Sequence, residues 1–380
     1  MNRLNSDKAQ ERLAALNSLF QSEKKVPKTG NVNNHVHTFY SFSPYSPSKA
    51  VWLAYQAGLS VVGIMDHDSV SGADEFVKAG EIVGIATTCG VEIRADFSKT
   101  VLAGKRINNP DQKGIAYLAV HAIPHKNFSQ AKAFLAPYLK ERGKRNEKMV
   151  EKINSVTKES ALRISYANDV LPLSKHNENG SVTERHLLFA LAKKLYHQFG
   201  RGADLILWLA NEGINIDGKT ANNLTDLDNA FFEYDLLGVL KGHFAEKIYI
   251  PAQNECPSVA DVVDFSKQIN AILAYAYLGD VQNSVTGDKK PQSFEDEYLE
   301  QLFDELNRLG FNALTYMPSR NTKQQLKRIR SLCERHNLMQ ISGEDINSPR
   351  QSFVCEALSD PEYANLVKSA WRLVEHERKA

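Results

Sequence analysis

Six short apolar runs constrain this chain more than any other feature, because four of them end at or carry a histidine or a carboxylate. They occupy 59–65, 85–91, 116–123, 272–277, 312–316 and 339–342. The first leads into Asp66-His67-Asp68, the second into Glu92, the third contains His121, and the last runs into Gly343-Glu344-Asp345. Helix patterns lie between the runs. One has Ser46 as N-cap, Pro47 at its first position and Gly58 as its stop; another is predicted from about 293 to 309, closed by Gly310. Strand and helix in alternation predict an α/β fold with a mainly parallel sheet, open or closed. In such a sheet the carboxyl ends of the strands share one rim, where ligands bind. Upstream, His35-Val36-His37 in an extended segment puts both imidazoles on one face, since side chains alternate with period two. Histidines and carboxylates are therefore predicted to converge.

The residue types say what such a convergence is for. Neutral imidazole and carboxylate oxygen suit zinc, manganese or iron, and a set without cysteine argues against a closed structural zinc site. His35, His37, His67 and Glu92 together predict an open site for a divalent ion, with Asp66 or Asp68 holding the ring of His67 from behind. His121 taken alone carries little, since a lone histidine on an apolar run is more often a core or surface residue.

Composition narrows the function classes. The 380 residues are 42% hydrophobic and 24% charged, and Lys plus Arg number 46 against 45 Asp plus Glu. A net charge of +1 gives no global field for nucleic acid or an anionic membrane. The apolar runs at 58–65 and 271–278 fall far short of the roughly 20 residues a membrane helix needs. The amino terminus reads as an amphipathic helix rather than a signal peptide, which predicts a cytoplasmic protein. Cys89, Cys256, Cys333 and Cys355 have no paired spacing and are expected to be reduced and structural.

From about 128 to 240 the periodicity is almost wholly helical. This predicts four segments: an N-terminal extension over 1–30, a first α/β part over 31–127, a helical insertion over 128–240, and a second α/β part with a C-terminal helix over 241–380. The charge run at 140–152 is expected to be a solvated helix face. Residues 213–220, GINIDGKT, match the Walker A pattern, but helix precedes them and polar turn residues follow, so a helix stop and loop is the reading.

The segments NNHVHTF, IMDHDSVSGADEF and TTCGVEI resemble the first, second and glutamate motifs of the polymerase and histidinol phosphatase superfamily, the PHP domain. VTERHLLFALAKKL is similar to part of the insertion in its branch of small metal-dependent phosphoesterases, and NLMQISGEDINSP stands in the place of the final motif. The resemblance runs from about 31 to 349. It implies an irregular seven-stranded β/α barrel, TIM-like, with metals at the strand carboxyl ends. It further implies one metal site from His35, His37, Glu92 and Asp345, a second bridged by Glu92 and helped by His121, and a third involving His67. Three positions depart from the pattern: Ser41-Phe42-Ser43 lack an acidic or histidine ligand, Tyr275 stands for a histidine, and Asn347 stands for the final histidine. One ion or two is what the remaining ligands support.

The resemblance thus implies hydrolysis of a small phosphate ester or nucleotide by metal-bound hydroxide, with His67, Asp66 and Asp68 as the catalytic group. Arg185, His186, Arg320 and Arg350 are the candidate cations for phosphate, and Asn347 and Tyr275 further candidates for substrate contact. Two other readings stand beside it: a metal-binding module of the same fold with reduced or no turnover, and a hydrolase of carbon–nitrogen bonds. Partners are expected to be small molecules, with no membrane and no strong nucleic-acid signature; the oligomeric state is open.

Overall fold

The computed structural model describes residues 2–280 and 295–379. Seven strands form one sheet in chain order: β1 Val32–Val36, β2 Val61–His67, β3 Ala86–Asp96, β4 Ile115–His121, β5 Ile272–Ala276, β6 Ala313–Tyr316 and β7 Met339–Ser342. The β1–β2, β2–β3, β5–β6 and β6–β7 ladders are parallel, while β4 runs antiparallel to both its neighbours. The alternation predicts the parallel part. The reversal of β4 follows from the link over 97–114, which contains no helix to carry the chain back. The sheet curls until its ends meet: Val36 bridges Ile346, His37 N donates to Ile346 O at 2.9 Å, and Ile346 N to His35 O at 3.1 Å. The fold is the irregular seven-stranded α/β barrel that the motifs imply.

Gly343 lets the two ends approach. A Cβ there would fall 2.6 Å from His35 Cβ and 2.8 Å from His35 N, closer than any side chain tolerates. The barrel interior is lined by small or slim residues, Met65, Ala119, Ala274, Ala313 and Ile341, with Leu373 added from the C-terminal helix.

Twelve α-helices surround this sheet among the described residues: α1 Ala9–Ser22, α2 Pro47–Gln56, α3 Ala73–Val83, α4 Phe128–Thr157, α5 Glu184–Phe199, α6 Ala203–Asn211, α7 Gly218–Thr225, α8 Phe232–Ile248, α9 Val259–Gln268, α10 Leu299–Leu309, α11 Lys323–Arg335 and α12 Ala364–Lys379. Ser46 accepts from Lys49 N and caps α2 with Pro47 inside its first turn, as the sequence predicts. Gly310 ends α10 at φ +90°; the start predicted near 293 lies outside the described residues. None of the described helices is long and apolar enough to cross a membrane. The extension is tied down by Arg12 of α1, whose buried guanidinium pairs with Glu75 of α3 through Nε at 2.9 Å and through Nη2.

Helices α4 to α8 form the insertion. They enclose a core of their own, including Met149, Ile153, Leu187, Leu191, Trp208, Leu236 and Phe244, distinct from the core between the sheet and its outer helices. α8 continues to Ile248, past the boundary expected at 240. One barrel residue joins this second core: Phe42, from the loop after β1, packs edge-on against Phe189 with ring centroids 5.5 Å apart. Its backbone sits at φ +102°, a conformation that costs a non-glycine residue energy and persists only where surroundings enforce it.

Candidate metal centre

The rim assembles four elements around one point. β1 delivers His35 and His37 to the same face, with their Nε2 atoms 3.2 Å apart. β2 ends in His67, whose ring centroid lies 4.6 Å from that of His37. Glu92 is the register partner of His67 on β3, and its Oε2 lies 2.8 Å from His67 Nδ1, 3.7 Å from His35 Nε2 and 3.8 Å from His37 Nε2. After β7, Asp345 places Oδ1 3.1 Å from His37 Nε2. His35, His37 and Glu92 are buried. Burial works against the Glu92 carboxylate, yet His67 and His35 together hold its pKa below the usual carboxylate range. Asp345 is held well below its range, against burial, by its hydrogen bond with His37.

Two carboxylates flank His67 in the chain, and neither holds its ring. Asp66 points to the opposite side of β2, where it accepts from Thr38 N, Thr38 Oγ1 and Ser41 Oγ, each at 2.6 Å. Ser41 Oγ in turn lies 3.2 Å from His37 Nδ1, so Asp66 orients His37 through Ser41. Asp68, at φ +50°, pairs with Arg142 of α4 at 2.8 Å. The ring of His67 is held by Glu92 instead. Ser41, in the stretch where the resemblance expects an acidic or histidine ligand, thus joins Asp66 to His37.

His121 lies inside the barrel rather than on the rim. Because β4 runs antiparallel, its carboxyl end leads away from the rim, and the pairing of Glu92 with Ala119 puts His121 two residues beneath. It is buried, neither ring nitrogen has a hydrogen-bond partner, and burial followed by the charge of His35 pushes its pKa down to about 3. A buried imidazole with both nitrogens unsatisfied is rare unless something else binds it. That orphan, two facing imidazole nitrogens and two carboxylates held anionic form a donor set that fits a divalent ion, with the groups His35–His37–Asp345 and His37–His67–Glu92 each close enough to ligate.

A cavity of about 320 Å3 opens from this point between the barrel and the insertion. His35, His67, Glu92 and Asp345 line one end. Arg94 and Arg145 share Glu255, Arg145 also meets Glu184 at 2.7 Å, and Arg94 Nε and Arg142 Nε have no hydrogen-bond partner. All three arginines line the cavity, beside Tyr117 and Tyr277. Arg142 and Arg145 lie in the charge run expected to be solvated, and they are buried. A signal for them exists: together with Met149 and Ile153 they continue the apolar stripe of α4 at helical spacing.

The remaining candidates divide. Arg185 and Arg320 line the cavity, as does Asn347. His186 does not; it is buried under Phe42, its Nδ1 accepts from Thr183 N at 3.0 Å in the capping box of α5, and burial pushes its pKa to about 3. Arg350 makes a two-pronged ion pair with Asp235 of α8 at 2.7 Å on both nitrogens. Tyr275 faces away from the site, because Ala274 and Ala276 on either side of it point inward or line the cavity, and its hydroxyl donates to Glu295 at 2.6 Å. The Walker-like segment is a helix stop at Gly213 and a short helix α7, whose first turn is occupied by Asp217 accepting from Thr220 N. The four cysteines are free and buried.

Comparison with known proteins agrees with this arrangement. A 5′-3′ exoribonuclease of Haemophilus influenzae is 38% identical over 63 residues, which are 17% of this chain and 23% of that protein. The matched part thus spans about a quarter of the relative's length. Among solved structures, a Bifidobacterium adolescentis protein assigned as a metal-dependent phosphoesterase superposes with TM-score 0.58 at 20% identity, covering 91% of this chain and 98% of the other. An amidohydrolase of Chromobacterium violaceum, holding sulfate and no metal, gives 0.55 at 15% identity, covering 86% and 90%. At these identities the two structures speak for the fold. The model of the PHP domain matches residues 33–199, the segment that holds His35, His37, His67, Glu92 and His121.

Proposed function

We propose that the chain is a metal-dependent phosphoesterase for a small phosphate ester or nucleotide. The observation that carries this reading is the junction of a histidine–carboxylate cluster with an arginine-walled cavity of about 320 Å3, a volume suited to a small molecule. His35, His37, Glu92 and Asp345 would hold one ion, and His121 with Glu92 a second. Zinc, manganese and iron all suit these donors. When bound, such an ion supplies the Lewis acidity that activates water and draws charge from a phosphoryl oxygen.

The chain's own residues then bind and orient. Asp66, through Ser41, fixes the ring of His37. Glu92 accepts a hydrogen bond from His67 Nδ1 and so fixes the ring of His67, which lines the cavity. Arg94 and Arg142 each offer an Nε donor without a hydrogen-bond partner, and a guanidinium suits phosphate because its fork reaches two oxygens. The names of the Bifidobacterium and Haemophilus proteins, a phosphoesterase and a ribonuclease, are both phosphodiester or phosphomonoester chemistry and support the class.

The test is turnover by protein loaded with each of the three metals, against parallel panels of phosphate esters, nucleotides and amides. Phosphate release that a chelator abolishes is the expected result. Release from the amide panel alone would move the reading to carbon–nitrogen hydrolysis, and tight metal binding with no turnover on any panel would leave a binding module.

A further inference from the structure

We infer that Arg185 is a positioning residue for the metal site, acting through Asn347 upon Asp345. The inference rests on the metal reading above and goes beyond it, because it assigns to the insertion a hold on the ligand set.

Arg185 stands in the first turn of α5 in the insertion, and its Nη1 lies 2.6 Å from Asn347 Oδ1, 162 residues along the chain. A guanidinium can only donate, so the amide oxygen must face it. The amide nitrogen then faces Asp345, and it donates to Asp345 Oδ1 at 2.7 Å. That same oxygen lies 3.1 Å from His37 Nε2. The chain of contacts runs from a helix of the insertion to the imidazole just past β1, with each donor direction set by the cation at its far end.

The loop is locked around this relay. Gln351 Oε1 accepts from Asn347 N and Ser348 N at 2.8 Å, and Gln351 Nε2 donates to Asp345 O at 2.7 Å. Asn347 is largely buried, and both ends of its amide are engaged in these bonds. Two consequences follow. The carbonyl of Asn347, at the position where the resemblance puts a histidine, is turned toward a cation. The carboxylate of Asp345, a free rotor on a loop without the relay, is fixed in one orientation. Groups that orient a ligand in this way are worth about 10–100-fold in metal affinity when removed.

The experiment is titration of metal-free protein with Mn2+ and, separately, Zn2+ by calorimetry, on wild type, Arg185→Ala, Arg185→Lys, Asn347→Ala and the double alanine variant. Expected are affinities weakened about 10–100-fold in each single alanine variant, partial recovery in Arg185→Lys, and a double variant no weaker than the worse single, since both changes break one relay. Melting of the metal-free proteins should stay together, which separates positioning from damage to the fold. KM for whatever ester is turned over at saturating metal should stay near wild type. Wild-type metal affinity in Arg185→Ala together with a raised KM would overturn the inference and make Arg185 a substrate contact. Wild-type protein that takes up neither metal would overturn the metal reading itself, and this inference with it, before any variant is made.

Discussion

Two clusters of ligand-type side chains lie within this one barrel, and they differ in what their polar atoms lack. At the rim, His35, His37, His67, Glu92 and Asp345 converge with His121 beneath, and nitrogens face nitrogens. On β3 below, Cys89, His125 and Glu377 of α12 also approach closely enough to ligate. There the carboxylate is satisfied: Glu377 Oε2 accepts from Cys89 N at 2.8 Å and Oε1 lies 2.7 Å from His125 Nε2. That cluster pins the C-terminal helix to the sheet. Proximity of the right residue types is thus common to both clusters; what sets the rim apart is its facing imidazole nitrogens and the orphaned ring of His121 beneath them.

The comparison breaks or sharpens under substitution. The largest expected effect is on turnover: His37→Ala should lower it by about three powers of ten or more, roughly 4 kcal/mol in the barrier, while Cys89→Ser leaves it within a few-fold. Steady-state rates at saturating metal check this, and equal losses in the two variants would erase the distinction. Next is stability, where the order should invert. Glu377→Ala strands Cys89 N–H and the His125 ring, at about 3 kcal/mol in denaturant unfolding of metal-free protein. Metal loading comes third. At a hundredfold excess over Kd it should raise stability by about 2.7 kcal/mol in wild type and in Cys89→Ser, and by nothing in a His35→Ala, His37→Ala double variant.

The smallest effect is a pH dependence. The hydrogen bond with Glu377 raises the pKa of His125 above 6.5, and burial pushes up that of Glu377. A raised folded pKa means the native state binds the proton more tightly. The stability His125 gains is fully present below about pH 6.5 and lost as pH rises through the folded value. His125 is half exposed, so water screens the interaction and the slope is shallow. His125→Gln should flatten unfolding free energy against pH between 6 and 8; an unchanged slope would mean the pair contributes no proton linkage.

Much of the rim was legible because it is local. Period two puts His35 and His37 on one face, and strand ends put Glu92 and Asp345 beside them. What escaped the sequence depends on contacts far along the chain. Asp66 and Asp68 sit next to His67, but a strand turns neighbours to opposite faces, and their partners are Ser41 and Arg142. Tyr275 was placed in the site by motif correspondence, whereas the same period-two rule turns it outward. The direction of β4 depends on a link without a helix, and it moves His121 from rim to interior. Arg350 takes its role from Asp235, which no spacing rule could pair with it, while His186 takes its role from Thr183 at capping-box spacing.

Phe42 gives the fold a property of its own. Its ring belongs to the core of the insertion, while its neighbour Ser41 supports His37 in the barrel. The two folding units thus share a residue, as adjoining rooms share a wall. A shortened chain without 128–248 would expose that ring and release the strained backbone at φ +102°, and with it the serine that steadies His37. The insertion is therefore not a removable ornament: natural or laboratory recombination that swaps it must carry a matching residue at position 42, or rebuild the site loop from nothing.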